Sequence, residues 1–440
     1  MIPKPKVHVI TLGCAKNLVD SESLLGQFRT NALEIVPDVE DADVAIINTC
    51  GFIESSKAES ISAILETAQL KSRGSLKKIF VMGCLSQRYP AELATELPEV
   101  DRFFGVNDQE KLLAELDVGL KYNLLCERVL TTPRHYAYLK ISEGCNHPCS
   151  FCAIPLMRGK HVSRPMDQIL AEARGLVRRG VKELILIAQD TTYYGVDRTR
   201  KRELPTLLQR LAEIEGIEWI RLMYAYPAMF PYEVLDVMVD NPKICRYIDM
   251  PVQHCSDEIL ELMRRGITRC EMEELLDRIR QRVPEIALRT TLIVGYPNET
   301  EKHFQELLEF VDKLKFDRLG VFTYSQEDRT SAEVLGDTIS PEEKERRRSM
   351  IMELQKSISH ERNESLVGKT LRILVDRKEG DVLVGRTERD APEVDNEVFI
   401  EAGESLDPGN FCLGKVVDAV EYDLFVTIVN ASDGPNSGIA

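Results

Sequence analysis

Short apolar runs and amphipathic runs alternate along the first part of the chain. Residues 7–12 form an apolar run closed by Gly13, and residues 17–29 continue as a helical stretch opened by polar side chains. Residues 44–48 read as a buried strand ended by Thr49, Cys50 and Gly51. From Ser55 a helix of about 16 residues is predicted, with Ile61, Ile64 and Leu65 at helical spacing. Residues 79–82 make a third strand ended by Gly83, residues 102–105 a fourth, and residues 109–116 a further helix. Strands that alternate with helices bury both faces of a parallel sheet, so a doubly wound parallel α/β domain is expected over residues 1–117.

Residues 117–133 read as a linker carrying a short strand at 123–126. The alternation then resumes. Strands are predicted at 137–141, 183–188, 220–224, 247–249, 288–294 and 318–322, with helices at 203–214, 257–265, 271–282 and 301–313. Such short β/α units suit a partial or complete parallel barrel over residues 131–363 better than an open Rossmann sheet. Ser340, Pro341 and Glu343 mark a helix start, with Ser340 as N-cap and Glu343 completing a capping box. From Gly368 the period changes to two. Short alternating strands at 369–376, 381–386, 397–400, 411–420 and 422–429 predict a small antiparallel β-barrel, OB-like, over residues 364–433. Phe399, Phe411, Tyr422 and Phe425 are expected in its core, and the last ten residues are expected to fray.

Composition narrows the class. The chain has 440 residues, 43% apolar and 29% charged, enough to bury sizeable cores. Acidic residues outnumber basic ones 72 to 56, a net charge of −16 that argues against a whole-protein grip on nucleic acid or anionic membrane. No segment approaches the roughly 18–20 apolar residues of a membrane span, and residues 1–7 lack the apolar run of a secretory leader. A cytoplasmic protein with no membrane contact is expected.

Eleven cysteines, an odd number, change the picture more than charge does. In a reducing compartment they point to metal ligation or to ordinary burial. Cys145, Cys149 and Cys152 form a C-x3-C-x2-C run, of which composition alone gives about 0.007 expected occurrences. Three thiolates on one loop can surround a cubic iron–sulfur cluster, and soft sulfur ligands also suit zinc. Zinc in a structural site wants four ligands, and His147 within the spacer is a candidate fourth. A three-thiolate cluster instead leaves one iron open to a small molecule. Cys14, Cys50 and Cys84 each follow a predicted strand, so the loops carrying them share one edge of the sheet, where ligands bind. Each has a glycine neighbour, Gly13, Gly51 or Gly83, which is expected to let backbone approach a bulky inorganic group. Cys126, Cys245, Cys255, Cys270 and Cys412 share no pattern and read as apolar fillers or surface thiols.

These motifs carry a resemblance. The Cys145, Cys149, Cys152 run resembles the radical S-adenosylmethionine signature. Together with Thr11-Leu-Gly-Cys-Ala-Lys-Asn-Leu-Val-Asp-Ser-Glu, Asn48-Thr-Cys-Gly-Phe-Ile and Met82-Gly-Cys-Leu, it makes the chain resemble the methylthiotransferases over nearly its whole length. The C-terminal module is similar to the TRAM domain of that family. The resemblance implies two 4Fe-4S clusters and S-adenosyl-L-methionine as cofactors. One cluster, on Cys145, Cys149 and Cys152, binds S-adenosylmethionine at its open iron and on reduction yields a 5′-deoxyadenosyl radical. The other, on Cys14, Cys50 and Cys84, carries the sulfur to be inserted, and a second S-adenosylmethionine gives the methyl group. Gln189, Asp190, Gln253, Gly295 and Glu299 follow predicted strands, where a barrel faces its active side. They are candidates for cosubstrate or substrate contact, with turn and cap chemistry as the equal alternative.

Two branches of the family differ in substrate. One modifies isopentenyl-adenosine in tRNA; the other modifies an aspartate of ribosomal protein S-twelve at its β-carbon. Lys16-Asn-Leu-Val-Asp-Ser-Glu and Ala188-Gln-Asp-Thr-Thr-Tyr-Tyr-Gly resemble the ribosomal-protein branch, and the Gln-Met-Asn phrase of the tRNA branch is absent. Thr11 and Ala15 depart from the Ser and Pro of the pattern. Residues 368–440 hold 7 Lys and Arg against 15 Asp and Glu, a balance of −8 out of −16. Such a module repels phosphates and attracts a basic protein, so direct nucleic-acid binding through it is not expected. The resulting expectation is a monomeric β-methylthiotransferase of ribosomal protein S-twelve, met free or on the ribosome, fed by an external low-potential electron donor. The tRNA enzyme and a non-catalytic iron–sulfur protein that binds ribosomes or RNA are the alternatives.

Overall fold

The computed structural model describes residues 4–121, 127–401 and 406–429. The strand expected at 123–126 and the last ten residues lie outside them. The first sheet has five parallel strands in the order Glu34–Ile35, Lys6–Thr11, Val44–Thr49, Lys78–Gly83, Arg102–Phe103. Alternate side chains of these strands enter two separate cores, as the two-residue period requires. Val44, Ile46 and Phe80 meet Leu24 and Phe28 of helix Ala15–Thr30, while Ala45, Ile47 and Val81 meet Ile64 of helix Glu54–Ser72 on the other face. Strand order reverses between Lys6–Thr11 and Val44–Thr49, which opens a crevice at their carboxyl ends. The expected face of the second helix is corrected. Ile64 is buried, but Ile61 and Leu65 are 37% and 45% exposed, because Ser60, Thr67 and Ala68 complete the buried stripe.

The central sheet has six parallel strands: Tyr136–Lys140, Glu183–Ile187, Trp219–Leu222, Ile244–Asp249, Ala287–Val294 and Arg318–Thr323, paired in chain order. Its first and last strands do not pair, so the barrel is partial. Helices such as Met166–Val177, Leu204–Ala212, Arg269–Arg282 and Glu301–Leu314 cover one face through Ile169, Leu207, Leu276 and Leu307. The other face is filled by the rest of the molecule. Tyr136, Tyr138, Ile187, Trp219 and Tyr247 pack with Val19 and Leu18 of the N-terminal domain and with Leu374, Ala391 and Phe411 of the C-terminal module.

Helix Pro341–Glu364 leads into that module. Ser340 accepts the backbone N–H of Glu343, but Glu343 pairs with Arg346 and Arg347 instead of closing the expected capping box. The module is a closed barrel of Thr370–Glu379, Val382–Thr387, Glu397–Glu401, Asp423–Ile428 and Phe411–Ala419. It is not wholly antiparallel, since Glu397–Glu401 and Asp423–Ile428 run parallel. The aromatic expectation is also corrected. Val398, Ile400, Leu424 and Val426 point inward, so Phe399 and Phe425, one register position away, point outward and stack with ring centroids 5.6 Å apart. Tyr422 is 43% exposed, and Phe411 packs on Trp219 at the junction with the central sheet.

Part of the module's negative charge is internal. Asp390 accepts from Nε and Nη2 of buried Arg318 at 2.8 and 2.5 Å, and Asp395 binds Arg289 and Tyr247. Arg386 of the module pairs with Glu183 at 2.5 Å, and Arg221 binds the same carboxylate at 2.8 Å. These charges lie out of water, so each survives only through its partner. Asp390→Ala should lower unfolding stability by about 3–5 kcal/mol by stranding Arg318, whereas the pair Asp390→Ala with Arg318→Met should recover most of that loss. Denaturant unfolding of the three proteins checks this.

Candidate active site

The N-terminal triad is assembled by loop packing. Cys14 is the exposed N-cap residue of helix Ala15–Thr30, while Cys50 and Cys84 are each 7% exposed. The glycines beside them act differently from the expectation. A Cβ on Gly13 would lie 2.7 Å from Cys50 Cβ, and one on Gly51 would lie 2.8 Å from Leu85 Cα. They let the three loops approach one another, which is what brings the cysteines to one crevice. Asn17 ties the loops together. Its Nδ2 donates to the carbonyls of Leu12 at 2.8 Å and Thr49 at 3.0 Å, and its Oδ1 lies 3.8 Å from Cys84 Sγ.

The second triad sits on a loop held by the two-stranded pair Ser142–Glu143 and Val162–Ser163. The N–H of Cys145 donates to Gly159 O at 3.1 Å, and that of Cys152 donates to Cys149 O at 3.2 Å. Arg265 Nη1 lies 3.4 Å from Cys149 Sγ, and the Tyr226 hydroxyl lies 3.8 Å from it. His147 is committed elsewhere: its ring stacks on Tyr226 at 3.6 Å and its Nε2 pairs with Asp190 at 2.7 Å.

The two triads face one seam. Cys84 packs in a small apolar cluster with Ala153, which immediately follows Cys152, and with Met157 of the short helix Ile154–Arg158 after it. Around that cluster runs a buried polar network. Arg158 donates to Asn17 Oδ1 at 2.5 Å and to Asp20 Oδ2 and Glu143 Oε2 at 2.9 Å each. Lys140 also binds Asp20 and Glu143. Burial opposes charge on Glu143, yet Lys140 and Arg158 outweigh it and hold the carboxyl down to about 2. Farther along the seam, Arg88 bridges to Glu327 of the central domain at 2.6 Å.

Of the five weaker candidates, Asp190, Gly295 and Glu299 are engaged within the fold, although Glu299 Oε1, 3.0 Å from Arg347 Nη1, forms no hydrogen bond. Asp190 holds His147 and the N–H and hydroxyl of Thr192. Glu299 accepts the N–H groups of Gly295 and Tyr296 and pairs with Arg347. Gln189 and Gln253 each keep a buried side-chain oxygen without a partner. Gln253 has φ +74 and Tyr224, at the neighbouring strand end, φ +57, both left-handed conformations that cost energy in non-glycine residues and cluster where ligands bind. Sequence reasoning missed Tyr224, Tyr226, Arg158 and Arg265. None lies in a cysteine motif, and only the fold brings them to the seam.

Donor chemistry decides what these triads could hold. Every cysteine of the two triads is free. Burial pushes the thiols of Cys84 and Cys152 up to about 12 and that of Cys145 to about 11. Such thiols stay protonated near neutrality unless a metal takes the proton's place. Among the described residues no three His, Cys, Asp or Glu side chains close on a single metal ion, which weighs against the zinc reading. Two sets of three soft thiol donors with arginines beside Cys84 and Cys149 suit iron–sulfur ligation. The fit to two iron–sulfur clusters is therefore good.

Comparison with known proteins gives three family matches: Radical SAM superfamily over residues 139–311, Uncharacterized protein family UPF0004 over 6–105 and TRAM domain over 367–429. The chain is 54% identical to "Ribosomal protein uS12 methylthiotransferase RimO" of Cytophaga hutchinsonii, across 97% of this chain and 98% of that protein. Proteins of the same name from Flavobacterium johnsoniae and Chloroherpeton thalassium are 53% and 52% identical, across 96% and 97% of this chain and 98% and 99% of theirs. Among solved structures, the radical S-adenosylmethionine methyltransferase TsrM of Kitasatospora setae, with cobalamin and a [4Fe-4S] cluster bound, aligns at TM-score 0.56 and 14% identity, over 75% of this chain and 74% of that one. At that identity the likeness concerns the fold alone.

Replacing Cys145, Cys149 and Cys152 together by Ala should remove one cluster's worth of iron from anaerobically reconstituted protein. The triple replacement of Cys14, Cys50 and Cys84 should remove the other. Iron and sulfide analysis checks both, and unchanged iron in either variant contradicts the ligand set.

Proposed function

This chain belongs to the family of ribosomal protein uS12 methylthiotransferases, and from that premise we propose that it inserts sulfur and a methyl group at the β-carbon of an aspartate in that ribosomal protein. The observation that carries the reading is the meeting of two cysteine triads across one seam, one gathered from three loops and the other on a single loop, each at the carboxyl edge of its own parallel sheet. Two 4Fe-4S clusters and S-adenosyl-L-methionine are the cofactors. When bound, they supply hydrogen abstraction from an unactivated carbon, sulfur and a methyl group, chemistry that no side chain provides.

The chain's own residues hold and orient. Cys145, Cys149 and Cys152 would hold one cluster, which would supply the reductive cleavage of S-adenosylmethionine. Cys14, Cys50 and Cys84 would hold the other. Arg265 donates toward Cys149, and Arg158 beside Cys84 opposes the burial that raises that thiol, so each triad has a fixed positive charge next to it. The buried oxygens of Gln189 and Gln253 are acceptors for cosubstrate or substrate. The network of Arg158, Asp20, Glu143 and Lys140 ties the first triad's helix to the second cysteine loop.

The C-terminal module supports a basic protein partner over RNA. Its exposed Glu379, Asp381, Glu393, Glu401, Asp407 and Asp418 remain after the internal acids are set aside. Several of its basic side chains are already paired, as Arg377 is with Glu397 and Glu379. No helix among the described residues is long and apolar enough to cross a membrane. A cytoplasmic monomer that takes electrons from an external low-potential donor and meets its substrate free or on the ribosome completes the reading.

Anaerobic reconstituted protein, S-adenosylmethionine, a reductant and a peptide of the ribosomal-protein loop should give a peptide gain of about 46 Da, one methylthio group in place of hydrogen. Mass spectrometry should place it on the aspartate. The same gain on tRNA with none on the peptide assigns the chain to the tRNA reaction. No 5′-deoxyadenosine from the reduced protein leaves only a binding role.

A further inference from the structure

Lys16 stands two residues after Cys14, in the first turn of helix Ala15–Thr30, and crosses the seam to the central domain. It is 8% exposed, and its Nζ lies 3.1 Å from the centroid of the Tyr224 ring. Among the described residues no carboxylate lies within ion-pair distance of Nζ, and no hydrogen bond to it is formed. Three other cations at the seam are ion-paired, Arg158 with Asp20 and Glu143, Lys140 with the same two and Arg88 with Glu327, and buried Arg265 rests on Cys149 Sγ and the Pro251 carbonyl. Lys16 is the exception, and an ammonium at such a place is costly without an anion. A cation–π contact offsets part of that cost but occupies only one side of the ammonium, whose three N–H donors otherwise face no acceptor.

The position has further marks of a ligand site. Tyr224, beneath the ammonium, is held at φ +57 by its N–H to Asp249 at 3.1 Å and by the Thr191 N–H on its carbonyl at 3.1 Å. Gln253, also left-handed, follows the neighbouring strand with its buried oxygen unpaired. Asp190, next to Thr191, binds His147 of the second cysteine loop. Lys16 therefore joins the first triad's helix to the strand ends that support the second triad.

We propose that Lys16 binds the side-chain carboxylate of the substrate aspartate and so fixes its β-carbon at the seam between the two cysteine triads. This rests on the function proposed above. The carboxylate is the anion the buried ammonium lacks, and it is bonded directly to the carbon that must be held still. The contact is a charge-assisted hydrogen bond; Lys16 forms no covalent bond and transfers no proton. An asparagine side chain keeps the shape but brings no charge, so the site distinguishes the two.

The test is direct binding rather than turnover. Reconstituted full-length protein, wild type and Lys16→Met, is titrated anaerobically against fluorescent peptides of the ribosomal-protein loop carrying Asp or Asn at the modified position. Iron content is matched between the two proteins, so that a folding or assembly defect is seen separately. Wild type should prefer the Asp peptide by about tenfold or more. Lys16→Met should bind both peptides with the affinity wild type shows for Asn, and Lys16→Arg should restore part of the preference. A Lys16→Met protein that keeps the preference overturns the proposal, as does a wild type that binds both peptides equally while still adding the methylthio group to the Asp form. Wild type that neither binds nor modifies the Asp peptide overturns the ribosomal-protein reading itself, and the assignment to Lys16 falls with it.

Discussion

Arg158 sits where two sheets present their carboxyl edges to each other, and the arrangement of the site depends on how it is satisfied. Its guanidinium is buried, so it must have carboxylates and carbonyl-type acceptors around it. Asp20 and Asn17 come from the N-terminal domain and Glu143 from the central one. One planar donor group therefore sets the distance between helix Ala15–Thr30 and the second cysteine loop. A neutral residue of similar volume would pack there but would impose no such register. Cys14 stands just before Asn17, Cys145 just after Glu143, and Cys84 Sγ lies 3.8 Å from Asn17 Oδ1, so the fork bears on the geometry of both triads.

The same solution recurs at the opposite end of the central sheet. An open parallel sheet leaves the face away from its helices unpacked, and a barrel that closed would fill it with its own side chains. Here the C-terminal module fills it, with Phe411 against Trp219 and with Asp390, Asp395 and Arg386 matched to Arg318, Arg289 and Glu183. Apolar contacts provide the burial, and the ion pairs make the docking specific. The three parts of the chain thus act as one body around the central sheet, with the reactive edge at one end and the module at the other.

The repeated alternation of strand and helix was legible because buried parallel strands read as apolar runs. The cysteine positions were legible because a parallel sheet places all its following loops on one edge. Other features had no local signal. The two-residue strand Glu34–Ile35 is too short to make a pattern. Phe399 and Phe425 looked like core by hydrophobicity and are surface residues by register. The glycines beside Cys14 and Cys50 were visible, but their role in loop-to-loop packing was not. Asp190 and Glu299 could be placed at strand ends from sequence, yet only their partners reveal that they hold the loops.

By itself the sequence determined the three-part order, the parallel α/β class of the first two parts, the change to short strands after Gly368, and the two sets of three thiols. Each is a local property: a period, a spacing or a residue type with few alternative uses. Folding alone settles that the barrel stays open, that Asp390 and Asp395 of the acidic module face inward, that Arg158 joins the first triad's helix to the second cysteine loop, and that Lys16 is buried at the seam with no carboxylate partner. These depend on which charges meet after folding. A buried charge is defined by its partner, and partners far apart in sequence, such as Arg158 and Asn17 or Arg318 and Asp390, are fixed only by packing.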